Sequence, residues 1–432
     1  MLDYLFSKTP LLFMVQSFWR DEAFSWYMAK KPILEMVTTT AKDFNPPFYY
    51  VLLHFWMNIF GSSEVVLRSL SLIFYALTIY IAYHFLKDII KVNKNWLPWY
   101  LIVFSLNPLL LYYAFEVRMY TLIACISTLS FYLFYTKKWK WYMLVSVLGI
   151  YTHYYFLFVL LTQAIYTIFF TKEKKQFLKY LSVPYFLFLP WLLYSGRSVI
   201  GQTSGTFWME KLQLFHLISL PGVLFTGYES SKYYNFYDKQ ILYVSLIVIS
   251  LVILLVYKAK KLNNKLFPFL VLWSFLFFGV VALVSTLKPI FVPRYLIFCA
   301  IGFNLLIFFL LERISPKLRI VTLILLLVII KHYTDYEIKY KAKGNIRATI
   351  KEINTISSDN DYLYVTDAGN YFVASYYFPE KSVRVYEEIQ YIPSYVGLAA
   401  IPRDKISKDL PKFPQKAFIL RSDYDYEIKS GL

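Results

Sequence analysis

The sequence predicts a polytopic all-α membrane protein with a small α/β domain at its C-terminal end. Three observations carry that prediction. Apolar runs long enough to cross a bilayer recur from the N-terminus to about position 332 of the 432 residues. The basic residues cluster in short loops between those runs, in the manner of a topology signal. After residue 333 the texture changes: charge rises and the apolar runs shrink to five or six residues.

The composition, 58% hydrophobic and 21% aromatic, excludes a soluble globular chain. A net charge of +18 would suggest nucleic acid in a soluble protein. Here the loop placement of the charge accounts for it, and no nucleic-acid partner is expected. About eleven spans are expected, near 4–18, 66–86, 96–113, 119–136, 140–152, 154–171, 177–194, 240–257, 266–286, 294–311 and 319–332. The first is anomalous. Its fifteen residues rise about 22 Å, too short to cross untilted, and it carries Lys8. Either it is thinly embedded or the start of the chain trims a longer helix. No small-residue cleavage site marks it, so it is expected to stay as its own signal. Cys125 and Cys299 lie inside apolar runs and predict neither a zinc site nor a disulfide.

Alternating the loops gives two sets. Loops 87–95, 137–140, 172–179, 258–265 and 312–319 hold seventeen Lys or Arg against three acids, Asp88, Glu173 and Glu312. By the positive-inside rule they are cytoplasmic. Loops 19–65, 114–118, 195–239 and 287–293 are mixed in charge and face outside. The odd span count places the C-terminal segment outside too. The chain thus divides into a membrane domain, 1–332, and a small extracytoplasmic domain, 333–432. In the latter, 362–366, 383–386 and 417–420 read as strands, with Ile346–Ile356 and 371–377 as helices between them, an α/β pattern.

Four polar clusters fall on the expected outer face. The first is Asp21-Glu22, two adjacent carboxylates directly after a span. Taken alone, the pair is better explained as an interfacial charge pair beside an aromatic anchor. The same loop continues through Asn45-Pro46-Pro47, where the prolines open a helix. That helix, 48–60, is apolar but too short to span, so it is expected at the interface. Arg68 follows at the outer end of the next span, where snorkelling to the headgroups is the plain alternative. The second cluster is Tyr113, Glu116, Arg118 and Tyr120. Glu116 and Arg118 are two apart and would not face each other on a regular helix, so separate partners are expected. A guanidinium at a membrane edge suits bidentate phosphate binding, and a helix-end charge pair is the alternative. The third is His153 at a turn, with no second ligand at metal spacing. The fourth is Arg294-Tyr295 at the start of a span. Independent structural charges have no reason to choose one face, so the convergence favours a site.

These stretches resemble a known family. Phe18-Trp19-Arg20-Asp21-Glu22-Ala23-Phe24-Ser25, Asn45-Pro46-Pro47-Phe48-Tyr49-Tyr50 and Leu53-His54-Phe55-Trp56 resemble the first outer loop of the protein O-mannosyltransferase and aminoarabinose transferase superfamily. Those are family-39-like glycosyltransferases of the GT-C fold. Gly61-Ser62-Ser63-Glu64, Arg68, the Tyr113 to Tyr120 stretch, the Tyr151 to Tyr155 stretch and Arg294-Tyr295 follow in the family's order, so the resemblance covers roughly residues 15–310. It implies a GT-C fold and transfer of a sugar from a polyprenyl-phosphate donor to an acceptor outside the cytoplasm. It implies a multi-pass protein of a prokaryotic cell membrane. It makes Asp21 the catalytic carboxylate with Glu22 beside it. It makes Asn45, Arg68, Tyr113, Glu116, Arg118, Tyr120, His153, Arg294 and Tyr295 the substrate-binding set. Where the family often has His or Lys before the Pro-Pro pair, this chain has neutral Asn45, which shifts phosphate binding onto Arg118, Arg68 or Arg294.

The expected reaction is displacement at the anomeric carbon, inverting, with no required cofactor; a carboxylate pair near phosphate leaves room for a divalent cation. Donor lipid and membrane lipid are the expected partners, and the acceptor is a protein, lipid or envelope glycan. The rival class is a lipid or polysaccharide transporter. A transporter would usually line a path with charges inside its spans, whereas these gather at one face.

Overall fold

The computed structural model describes residues 2–43, 45–172, 174–203, 211–228, 239–262 and 264–431. Glu173 and positions 204–210 and 229–238 of the expected outer loop 195–239 lie outside the described residues. Among the described residues five helices are long and apolar enough to cross a bilayer: Glu64–Ile90, Lys174–Gly196, Lys239–Lys258, Leu266–Val284 and Pro293–Leu311. They make the chain a polytopic membrane protein, the expected class.

The other expected spans all fall on helices, but local chemistry shortens or breaks them. Tyr120–Tyr135, Trp139–Ile150 and Phe156–Phe170 replace 119–136, 140–152 and 154–171. None rises more than about 24 Å, so none crosses straight. The expected span 96–113 is two helices, Leu97–Ser105 and Pro108–Tyr113. Pro108 donates no backbone hydrogen bond, and Asn107 caps the second helix by accepting from the Leu110 N–H at 3.2 Å. The anomalous first span is likewise two pieces, Leu2–Lys8 and Leu12–Val15, on either side of Pro10. The last, 319–332, lies within Pro316–Tyr340, which continues for two turns past its apolar stretch.

Every residue of Ile297–Leu311 is buried, which makes this helix the centre of the bundle. Trp273 packs against it. Its indole stacks on Phe131 with ring centroids 3.9 Å apart, and its Nε1–H donates to the Phe298 carbonyl at 2.8 Å. Gly302 makes that approach fit, because a Cβ there would lie 2.6 Å from the indole.

Loop 19–65, expected on the outer face, is helical for most of its length. The expected interfacial helix is present as Phe48–Phe60, and two further helices precede it, Arg20–Lys30 and Ile33–Thr40. Above them sits the C-terminal sheet, made of β1 (Tyr362–Val365), β2 (Val383–Val385), β3 (Ala417–Leu420) and β4 (Tyr426–Lys429), in the order β2-β1-β3-β4. β1 runs parallel to both β2 and β3, with Leu363 opposite Val383 and Phe418; β4 is antiparallel to β3. Helices Ile346–Ile356 and Asn370–Tyr377 complete the α/β unit.

The C-terminal unit docks on the loop helix Arg20–Lys30. Phe24 meets Phe372 edge-on at 5.1 Å, and Trp26 meets Tyr376 at 5.0 Å. Lys30 pairs with Glu380 at 2.5 Å, and the Phe18 N–H donates to the Tyr377 hydroxyl at 2.8 Å. Tyr377 in turn donates to Glu64.

The packing around Trp273 gives a direct test. Gly302→Ala forces the indole off its seat and is expected to lower unfolding stability by about 1–3 kcal/mol, the usual cost of overpacking. Gly279→Ala, whose new methyl meets nothing within 4 Å, is expected to leave stability unchanged or slightly raised. Thermal unfolding of the purified protein in detergent measures both.

Candidate active site

The carboxylates Asp21 and Glu22 open helix Arg20–Lys30, in the first turn where a helix dipole favours negative charge. They are neighbours in sequence and opposites in environment. Glu22 is 0% exposed. Its Oε1 and Oε2 each accept a hydrogen bond at 2.8 Å from Arg68, through Nε and Nη2. Oε2 also accepts from Lys343 Nζ at 2.7 Å, and Oε1 from the Val117 N–H at 3.2 Å. Burial alone would raise the Glu22 pKa, but the Arg68 and Lys343 charges hold it down at about 2. A carboxylate so saturated and so weakly basic is suited to holding structure.

Arg68 is equally enclosed. Besides Glu22 it donates from Nη1 to the carbonyls of Met14 and Gln16, at 3.0 and 2.7 Å. The snorkelling alternative does not describe it: the side chain is 0% exposed and turned inward. Lys343 was invisible to sequence reasoning. It comes from the segment entering the C-terminal domain, one lysine among many in a charged stretch, and only the fold brings it to Glu22. Its loop is pinned there, with the Lys343 N–H donating to Gln16 Oε1 at 2.9 Å and Ser17 Oγ to the Gly344 carbonyl at 2.7 Å.

Asp21 is half-buried, and its carboxylate makes no hydrogen bond or ion pair among the described residues. Its charge is among those that act on the buried guanidinium of Arg118. That guanidinium is 7% exposed and has no carboxylate partner among the described residues. Its Nη1 reaches Ser25 Oγ at 3.5 Å, and its Nε is buried with no acceptor. The turn 114–119 explains the placement. Arg118 N–H closes back on the Glu116 carbonyl at 2.7 Å, so the two side chains diverge, as their spacing suggested.

Glu116 points into the same region, 2% exposed, with neither carboxylate oxygen partnered. Burial raises its pKa to about 7. Arg294 donates from Nε to the Tyr120 hydroxyl at 3.0 Å and lies over the Tyr120 and Tyr295 rings. Tyr113 closes on Tyr120 at 4.8 Å. His153 sits 5.0 Å from the Tyr295 ring, and its Nδ1 accepts from the Tyr155 N–H at 3.1 Å. Burial and the Arg118 charge push its pKa down to about 3, so it is neutral at physiological pH.

The fold therefore draws Asp21, Glu22, Arg68, Glu116, Arg118, Tyr120, His153, Arg294 and Tyr295 into one largely buried region beside the helices of loop 19–65. Asn45 is half-buried at the bend before Pro46 and makes no side-chain hydrogen bond among the described residues. Four cations, Arg68, Arg118, Arg294 and Lys343, face two low-pKa or open acids and one acid that titrates near neutrality. The region is net positive and holds an unneutralised guanidinium, which suits an anionic ligand. Among the described residues no three His, Cys, Asp or Glu side chains converge as a metal site.

The architecture and the polar region at its loop face define a GT-C-fold membrane protein. Two solved structures share the fold. ArnT from Cupriavidus metallidurans in the apo state superposes with a TM-score of 0.63 at 11% identity, over 87% of this chain and 82% of that one. The same protein bound to undecaprenyl phosphate superposes with a TM-score of 0.62 at 12% identity over the same shares. At that identity the likeness establishes the fold. No family model and no curated protein matches this sequence.

The Glu22 node carries a pH signature. Its folded pKa lies below the ordinary 4.5, so its contribution to stability is complete above about 4.5 and is lost as pH falls toward 2. Glu22→Gln strands two buried cations and is expected to cost about 3–5 kcal/mol at neutral pH. The gap between parent and variant is expected to narrow as pH falls below 4.5. Reversible unfolding in mixed micelles across that range measures it.

Proposed function

We propose that this protein is a membrane glycosyltransferase that moves a sugar from a polyprenyl-phosphate donor to a hydroxyl acceptor, on the face of the membrane away from the cytoplasm. The observation that carries this reading is the pairing of an unneutralised, buried Arg118 with an open carboxylate at Asp21. One member awaits an anion, the other a proton. The undecaprenyl phosphate bound to the structural neighbour ArnT supports the donor class.

In this reading the donor's phosphate lies against Arg118, with Arg294, which also sits at the Tyr120 ring, adding charge. Asp21 accepts the proton from the acceptor hydroxyl. The acceptor oxygen forms its bond to the anomeric carbon as the bond from that carbon to the phosphate oxygen breaks. The electron pair leaves with the polyprenyl phosphate, and the anomeric centre inverts. Arg118 offsets the charge growing on the departing phosphate, an interaction that strengthens along the reaction coordinate. Glu22, Arg68 and Lys343 position the helix that carries Asp21. Neutral His153 and the tyrosines around Arg294 line the pocket for the sugar. The reaction draws on side chains alone, and activity that survives a chelator is expected.

Asp21→Asn is expected to lower transfer by about 10²-fold or more, since base catalysis contributes about 10²- to 10⁴-fold. Asparagine keeps the shape and hydrogen bonds of Asp21 but takes no proton, so donor binding is expected to persist. Arg118→Lys is expected to weaken donor use where Arg403→Lys, on the exposed domain surface, does not. Transfer from radiolabelled polyprenyl-phosphate sugar to a membrane lysate measures both. Parental activity in Asp21→Asn, or no transfer by the parent from any such donor, contradicts the reading and favours a transporter.

A further inference from the structure

At the opposite end of the molecule from Asp21 and Arg118, the structure encloses a second charged region. Helix Glu64–Ile90 links the two: Arg68 lies at the first and Ile90 lines the second, a rise of about 33 Å at 1.5 Å per residue. Here three of the lysine-rich loops meet around a cavity of about 760 Å³. Lys91, Lys258, Lys260, Lys261 and Arg313 line it, together with a single acid, Glu312.

That acid is already neutralised. Glu312 Oε1 pairs with Arg319 at 3.0 Å and accepts from the Tyr100 hydroxyl at 2.8 Å, while Oε2 accepts from the Asn93 N–H at 3.2 Å. Its role is to tie loop 91–96 to the end of Pro293–Leu311. The Lys260 N–H donates to the Arg313 carbonyl at 3.2 Å, which ties in the third loop. Arg313 is held over the Phe309 ring at 3.5 Å and donates to the Phe309 carbonyl at 2.8 Å, yet its Nε is buried with no acceptor among the described residues. The walls are thus fixed by backbone and side-chain bonds, and their lysines keep their charge for something else. Among the described residues none of the four lysines has an ion pair.

The surroundings say what that something is. Helices Lys239–Lys258 and Pro316–Tyr340 approach each other at both ends: His332 Nε2 lies 3.3 Å from Gln240 Oε1 at one, and Lys258 and Leu318 both line the cavity at the other. From the cavity rim their outer faces run on as an exposed apolar surface, Ile253 and Tyr257 on one helix, Val321, Ile324 and Val328 on the other. A basic pocket at a membrane surface, continuous with an apolar flank, matches a phosphate headgroup with acyl chains.

We propose that this lysine-walled cavity binds the phosphate headgroup of an anionic membrane phospholipid, with its acyl chains lying on the two helices below. A soluble phosphate shares the headgroup chemistry but makes no use of the apolar flank, so the test separates the two.

The full-length protein in detergent is exposed to phosphatidylglycerol or phosphatidylcholine, and retained lipid is counted by native mass spectrometry. Phosphatidylglycerol is expected to be retained and phosphatidylcholine not. The triple variant Lys258→Gln, Lys260→Gln, Lys261→Gln is expected to weaken retention by about tenfold or more. Lys172→Gln, Lys174→Gln, Lys175→Gln removes as many charges from a loop outside the cavity and is expected to retain lipid like the parent. Should the cavity variant fail to insert, Lys260→Gln alone is expected to weaken retention about fivefold, and the charge-keeping Lys→Arg triple to preserve it. Equal retention of both lipids, or parental retention in Lys260→Gln, overturns the proposal. Complete displacement of phosphatidylglycerol by millimolar inorganic phosphate also overturns it, in favour of a soluble anion.

Discussion

The carboxylate of Glu22 is the joint on which the rest of the site depends. Through Arg68 it gathers the first long span and the carbonyls that follow the broken N-terminal helix. Through Val117 it fixes the turn that carries Glu116 and Arg118. Through Lys343 it reaches the segment that leads into the C-terminal domain. Burying these charges apart from one another would cost several kcal/mol each, so they stay buried only as a set. Four separated parts of the chain are thereby held in one arrangement.

That arrangement gives two adjacent carboxylates different work. Glu22 has its oxygens occupied and a pKa near 2, so it is spent on architecture. Asp21, one residue earlier on the same helix, makes no hydrogen bond or ion pair among the described residues and stays open. Environment sets the roles, as it does wherever paired carboxyls divide between a charged and a proton-exchanging task. A third carboxyl, Glu116, is buried with neither oxygen hydrogen-bonded among the described residues, and burial pushes its pKa up to about 7. The C-terminal domain belongs to this arrangement as well. Phe24 and Trp26 of the loop helix are packed under its aromatic face, so the helix bearing Asp21 is clamped from above and tied from below.

Much of this was legible in the sequence, for identifiable reasons. Long apolar runs and lysine-rich loops are strong signals, and they marked the helices and the two-faced charge distribution. The strands expected at 362–366, 383–386 and 417–420 form over Tyr362–Val365, Val383–Val385 and Ala417–Leu420, mostly apolar and mostly buried, so their composition announced them. β4 is mostly exposed and reads as a polar tail, which is why it went unseen. The break at Asn107-Pro108 lay in a run whose hydropathy outweighed one proline. The helix Arg20–Lys30 in loop 19–65 was hidden because it is buried on several sides and shows no single apolar face. The polar residues that the fold brings together were grouped in the sequence by their place on one expected face. Their pairing was not legible, because the Glu22 to Lys343 contact joins positions 321 residues apart, which no local pattern encodes.

The central claim is that Arg118 and Asp21 are left open by the Glu22 node to receive a lipid-linked phosphate. A density map of the full-length protein with a bound polyprenyl phosphate tests it most directly. The account predicts phosphate density within hydrogen-bond reach of the Arg118 guanidinium, beside Asp21, with Glu22 still bridging Arg68 and Lys343. Phosphate seated on Arg68 or Lys343 with Glu22 displaced, or found away from Arg118 altogether, would contradict it.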